Sequence, residues 1–205
     1  MESADNNLRD DTWPRVKPGE RYRRAAVLML IYPRGGEDHM VFMRRTETVE
    51  HHKGQISLPG GAKDPTDADL VQTALRETQE ELGVDPSAVE VTGRLRDIFA
   101  RVSGFLITPI IARLKPGYLA EELTFTPSAD EVAEVIEVPL SALRDEAIHH
   151  TKPYTAPDGF QYDIHYYTYG PYEIWGATGR ILYEFLGGRG LGVRGRELET
   201  DGADA

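Results

Sequence analysis

The chain of 205 residues contains no cysteine. Disulfides, thiolate metal sites and a cysteine nucleophile are therefore excluded. Positive charge is also scarce: 23 Lys and Arg stand against 34 Asp and Glu, for a formal net charge of −11. A sequence-independent nucleic-acid binder needs a basic stripe to neutralise phosphates, and none is present. Long apolar runs are missing too. The longest, AAVLMLIY at Ala25–Tyr32, is far too short to span a bilayer. There is no internal repeat, and the acidic start MESADNNLRDD is unlike a secretory signal or an Arg-rich transit peptide. A soluble, cytoplasmic protein is expected. If its substrate is polyanionic, it needs a local countercharge such as a bound divalent cation.

What is present is a 40% hydrophobic composition, enough for one sizeable core. Residues 1–21 are charged and aperiodic and read as a loosely held N-terminal arm, and 188–205 as a flexible C-terminal tail. Between them, 22–187 is expected to form one domain. Ala25–Tyr32 reads as a buried strand, paired with His39–Arg45 across the turn residues PRGGED. Further strands are expected at RLRDIFA, FLITPIIARL and Glu131–Val138, and a short helix opens at Pro139. A hairpin turns at Pro157, Asp158 and Gly159, and its second strand is rich in tyrosine. A last helix holds Ile181, Leu182, Phe185 and Leu186 and stops at Gly187. Strands and helices mix without strict βαβ alternation, which favours one α+β or layered α/β domain.

The segment RETQEELG, Arg76–Gly83, sets three glutamates near the C-terminal end of a helix. Carboxylates at that end oppose the helix dipole by roughly 0.3–1 kcal/mol each at exposed sites. Thr66 or Asp67 can cap the start of this helix. Val71, Ala74, Leu75, Thr78 and Leu82 form its inward stripe. Glu77, Glu80 and Glu81 share the i, i+3, i+4 relation and gather on a different face, with only Arg76 close enough to neutralise them. A solvated charged face is one explanation. A hard divalent cation is another, because Mg²⁺ takes carboxylate oxygens and keeps waters for a substrate phosphate. Before the helix, Pro59-Gly60-Gly61 is a tight turn whose backbone can approach a metal or phosphate closely.

Together these residues resemble the signature of the Nudix hydrolases, GX5EX7REUXEEXGU with U a bulky apolar residue. Gly61, Arg76, Glu77, Glu80, Glu81, Gly83 and Val84 match. The interval from Gly61 to Arg76 is one residue longer, so the first signature glutamate falls on Asp67 counted forward and on Ala68 counted back. Thr78 stands at an apolar position. The resemblance implies an α/β/α sandwich with a mixed sheet, in a single domain. It also implies a hydrolase, dependent on Mg²⁺ or Mn²⁺, for a nucleoside diphosphate linked to another group. By that likeness Glu77, Glu80, Glu81 and Gly61 bind metal, and Arg76 orients the acids. Glu131, following a polar loop, is in the place of a further ligand or base, so the catalytic set is Glu80, Glu77, Arg76 and Glu131.

A second stretch, RRTETVEHHKGQISLPGG at Arg44–Gly61, is similar to the motif preceding that signature in coenzyme A pyrophosphatases, roughly LLTxRSxxxRxxxGxxxFPGG. Arg45, Gly54, Pro59, Gly60 and Gly61 fit, while Glu50 replaces an arginine and Leu58 a phenylalanine. The resemblance implies substrate binding by Arg45, Gly54, Gln55 and Gly60, with coenzyme A as substrate. ADP-ribose, a dinucleotide or a non-enzymatic nucleotide sensor are the alternatives. The expected partner is a small nucleotide rather than nucleic acid or membrane, and a homodimer is left open. His51-His52 and His149-His150 read as exposed loop histidines, because neighbours on a strand face opposite ways and no acids complete a zinc set. Tyr162, Tyr166, Tyr167 and Tyr169 read as strand packing. Trp175 reads as core or the start of a helix.

Overall fold

The computed structural model describes residues 13–46, 54–115, 117–118 and 123–187. Its centre is the apolar run around Ala25, which extends into strand β1 (Arg23–Arg34). Strand alternation sends Met29 and Ile31 into one core, and Ala26, Leu28, Leu30 and Tyr32 into the other. A strand buried on both faces needs this unbroken apolar sequence.

In chain order there follow β2 (Glu37–Arg45), β3 (Ile56–Ser57), β4 (Gly60–Ala62), α1 (Leu70–Leu82), β5 (Val89–Arg94), β6 (Ile98–Ala100) and β7 (Phe105–Leu114). Then come β8 (Val132–Pro139), α2 (Leu140–Leu143), β9 (His149–Thr155), β10 (Gln161–Tyr169), β11 (Tyr172–Ile174) and α3 (Gly176–Phe185). The main sheet runs β3-β2-β1-β7-β5, with β4 on β1, β6 on β7 and β8 on β2. Among the described residues only the β1–β7 pair is parallel and the other ladders are antiparallel, so the sheet is mixed. A second sheet, β11-β10-β9, is a separate meander. Ala74 and Leu82 of α1 pack on one face of the main sheet, and Ile181 and Leu182 of α3 on the other. This is a layered α/β/α domain. Fully burying one side chain such as Leu82 contributes about 2 kcal/mol. On the α3 side the approach is close: a Cβ on Gly179 would lie 2.3 Å from the His165 carbonyl oxygen.

Several expectations are corrected. Asp69 caps α1, its carboxylate accepting from the Gln72 amide at 2.8 Å, while Asp67 turns inward and Thr66 stays exposed. RLRDIFA is not one strand: β5 ends at Arg94 and β6 starts at Ile98. His149 and His150 begin β9 rather than a loop, and His149 is half-buried, stacked on His165 with ring centroids 5.2 Å apart. Trp175 does open α3, but it is 37% exposed and not core. Of the expected arm, only residues 13–21 are described; there the Trp13 indole N–H donates to the Phe99 carbonyl at 3.1 Å, and Pro14 is buried. The C-terminal tail, Glu50, His51 and His52 lie outside the described residues. Among the described residues no helix is long and apolar enough to cross a membrane.

Candidate active site

Helix α1 ends at Gly83, whose φ of 72° is the left-handed C-cap geometry, with no basic residue in the last turn. Two carbonyls of that turn find partners in the loop before β8. The Thr126 amide donates to Leu82 at 2.8 Å, and the Ser128 amide to Glu81 at 2.9 Å. The same loop is tied to the end of β2, where the Thr46 amide donates to the Glu131 carbonyl at 2.9 Å. Glu131 thus comes close enough to Glu77 and Glu81 for its charge to raise the proton affinity of both.

The three glutamates do not share one environment. Glu81 is 2% exposed and lies on the inward face with Ala74 and Thr78, not on a solvent face. Its carboxylate accepts from the Gly60 amide at 2.8 Å, and Arg45 stands at 3.5 Å. Burial pushes its carboxyl up to about 8, against the opposing pull of the Gly60 amide and Arg45. Glu77 is half-buried and also raised, first by burial. Glu80 is the outlier: its side chain is 57% exposed and held by Arg76 at 2.9 Å. Among the described residues no three acids or histidines are grouped closely enough to form a ready metal cage.

Arg76 is the organiser. It meets Asp67 through Nε at 2.9 Å and Nη2 at 3.0 Å, Glu77 at 2.8 Å, Glu80 at 2.9 Å and the Ala62 carbonyl at 3.3 Å. Asp67 also accepts from the Asp64 amide and the Thr73 hydroxyl, each at 2.9 Å. With Arg76 bound in this fork, its carboxyl is held well below the usual range. Asp67 is therefore the anchor of Arg76. Counting forward from Gly61 is the signal that finds it. Thr73 carries no such signal.

Gly60 and Gly61, expected in a tight turn, instead open β4 against β1, and there they lie against these acids. Gly60 has φ 146°, and a Cβ there would sit 2.3 Å from the Ala26 carbonyl oxygen and 2.5 Å from the Val27 Cα, so only glycine is accommodated. A Cβ on Gly61 would fall 2.5 Å from a Glu77 carboxylate oxygen. Upstream, Gly54 takes φ 65°, and the Gln55 carbonyl accepts from the Arg45 amide at 3.0 Å. Gly54 and Gln55 also line a cavity of about 490 Å³ with Arg44, Glu134, Tyr172 and Trp175. In its wall Glu134 is bound by Arg44 at 3.1 Å and by the Tyr172 hydroxyl at 2.6 Å, and the Trp175 ring stacks on Tyr166 with centroids 6.0 Å apart. Glu134 and Tyr172 were not singled out by sequence spacing; only the fold brings them beside Gln55.

The carboxyls of Glu77 and Glu81, raised by burial and by like charges that include Glu131, have oxygen chemistry that suits a hard divalent cation, which would relieve this repulsion. The NUDIX domain family model matches residues 22–158, more than half of the chain. Proteins called uncharacterized Nudix hydrolase NudL are similar. That of Pectobacterium atrosepticum is 36% identical over 176 residues, covering 83% of this chain and 85% of the relative. That of Cronobacter sakazakii is 37% identical over 163 residues, covering 79% and 80%. A solved structure of a MutT/nudix family protein from Enterococcus faecalis has the same fold, with TM-score 0.51 and 16% identity over 82% of this chain and 62% of that one. The chain belongs to the Nudix hydrolase family, enzymes that cleave diphosphate bonds of small nucleotide derivatives with divalent metal ions such as Mg²⁺ or Mn²⁺.

Proposed function

We propose that the protein hydrolyses the diphosphate of coenzyme A or its derivatives, giving 3′,5′-ADP and 4′-phosphopantetheine. The observation that carries this reading is the single segment from Gly54 to Gly61. It lines the cavity beside Trp175, binds the Arg45 backbone, and then seats Gly60 on Glu81 and Gly61 on Glu77. This is the stretch that resembles the coenzyme A pyrophosphatase motif. Glu77, Glu80 and Glu81 would hold the divalent cation, with Gly61 adjacent. When bound, the cation supplies charge stabilisation for the diphosphate oxygens and lowers the pKa of a coordinated water. Arg76 keeps Glu77 and Glu80 in position, while Arg45 faces the phosphates. Glu131, exposed at the rim, accepts the proton of the attacking water; such assistance contributes roughly 10²–10⁴-fold. The cavity beside Trp175 accepts the uncharged arm of the substrate, because its arginine is already neutralised by Glu134.

The test is a screen of purified protein with Mg²⁺ or Mn²⁺ against coenzyme A, ADP-ribose, NADH and nucleoside triphosphates. Coenzyme A should give the highest kcat/KM. Preferential turnover of any of the other three would replace this assignment.

A further inference from the structure

Past Gly61 the same segment leads into a second cavity of about 490 Å³, on the face of the main sheet that α1 covers. Its character is unlike the first. Arg24 of β1, Lys63 just after β4 and Arg94 of β5, far apart in sequence, converge on it, together with Thr108 and the opening residues of α1, Leu70 and Val71. Three cations against the single carboxylate of Asp69 give this lining a basic excess in a chain of net charge −11. Asp69 caps α1, and Asp97, which contacts two lining residues, accepts from the Thr108 hydroxyl at 2.6 Å and forms an ion pair with Arg24 at 3.3 Å, so Arg24 is partly neutralised. Arg24 keeps a buried Nε with no hydrogen-bond partner among the described residues, an arrangement that costs stability in the free protein. Lys63 uses one donor on the Asp67 carbonyl at 2.6 Å, and an ammonium has three. The first turn of α1 adds amides without intrahelical acceptors and the positive end of the helix dipole.

We propose that this cavity is a phosphate subsite, taking a phosphomonoester dianion. Six residues of helix separate Val71 from Glu77, about 9 Å along the axis, so a phosphate on the nucleoside end of a substrate held at Glu77 falls within reach. That source rests on the coenzyme A reading, whose nucleoside carries a 3′-phosphate; free phosphate is the other source of the same chemistry. The two cavities then sort the ends of one substrate by charge. The first cavity has one arginine, paired with Glu134, beside the indole of Trp175, and faces the neutral arm; the second has three cations, of which Arg24 is paired with Asp97, and faces the anionic end.

Calorimetric titration of the full chain with inorganic phosphate, in chelator so that no metal-bound phosphate contributes, tests the site directly. Phosphate should bind the parent, and Lys63→Gln and Arg94→Gln should each weaken it by about tenfold, more at low salt. Arg94→Gln leaves the Lys63–Asp67 contact untouched, and thermal melts check that both variants are folded. In parallel, KM is measured for coenzyme A and for 3′-dephospho-coenzyme A. A tenfold rise confined to coenzyme A identifies the substrate's own phosphate as occupant. Weakened phosphate binding with both KM values unchanged keeps the site and makes free phosphate its ligand. No phosphate binding by the parent, or equal binding by parent and variants, overturns the proposal. Because the titration needs no turnover, it is decided even if coenzyme A proves not to be a substrate.

Discussion

Asp67 lies just before α1 and Glu81 in its last turn, both buried, at 3% and 2% exposure, yet their carboxyls are shifted in opposite directions. Asp67 is surrounded by donors from Arg76, Thr73 and the Asp64 backbone, and its carboxyl is held far down. Glu81 has one amide and a distant arginine, sits among like charges, and its carboxyl is pushed up to about 8. A buried carboxylate with all its oxygens satisfied is part of the scaffold. One whose surroundings favour a proton is costly to keep ionised, which is the opening for the metal-binding role proposed for Glu81.

The largest effect should come from removing the charge at Glu81. Glu81→Gln keeps size and packing, and it should cost turnover at least roughly 10²-fold with Mg²⁺ or Mn²⁺ at saturating concentration. The folded circular-dichroism signal should persist, because the neutral amide suits a buried site better than a carboxylate does. Near-parental turnover would remove Glu81 from the metal set.

Asp67→Asn should act in the other direction, on the fold first. It leaves the guanidinium of Arg76 partly buried without its main counter-charge, and breaking a buried pair from one side costs about 3–5 kcal/mol. Chemical denaturation should show the loss at pH 7. The remaining activity should respond through Glu77 and Glu80, which Arg76 positions. A stable variant with full activity would mean that Arg76 needs no anchor.

How legible this contrast was in the sequence differs residue by residue. The acids of α1, its glycine stop and its approximate span follow from local spacing. The cap does not: Thr66, Asp67 and Asp69 are all good N-cap residues, and the choice is made by Arg76, which draws Asp67 inward from nine residues away. The burial of Glu81 had a signal, since Ala74, Thr78 and Glu81 share a helical stripe. Charge argued against placing a glutamate there, and only the Gly60 amide, delivered by a different strand, makes it tolerable. The cavity lining was least visible, because Gln55, Glu134 and Trp175 come together through β2–β8 pairing and the start of α3.

A third test uses pH. Glu81 has a folded-state pKa above its unfolded value, so its contribution to stability is fully present below about 4.5 and is lost as pH rises through about 8. Asp67, depressed, contributes above its unfolded value near 3.8 and loses that contribution only in strong acid. Between pH 5 and 8 the metal-free protein should therefore weaken by an amount on the order of 2 kcal/mol through Glu81, while Asp67 stays constant. Melts in chelator should show this slope in the parent and a flatter one in Glu81→Gln. Added Mg²⁺, which competes with the proton, should stabilise the parent more at pH 8 than at pH 5. Parallel curves for parent and variant would show that Glu81 does not titrate in this window.

The smallest effect isolates charge from polarity. Thr78 shares the buried face with Glu81 at 1% exposure, but it is neutral, and its hydroxyl donates to the Ala74 carbonyl one turn back at 2.7 Å. That carbonyl also accepts the helical amide of Thr78, so Thr78→Val orphans no acceptor and replaces a hydroxyl by a methyl of similar size. The two side chains have comparable helix propensities. The expected change is under about 1 kcal/mol, or 2–4 °C in Tm for a chain of this size, with kcat and KM unchanged. A loss of several kcal/mol would mean that this helix face tolerates no change at all, and the burial contrast between Asp67 and Glu81 would then reflect tight packing rather than electrostatics.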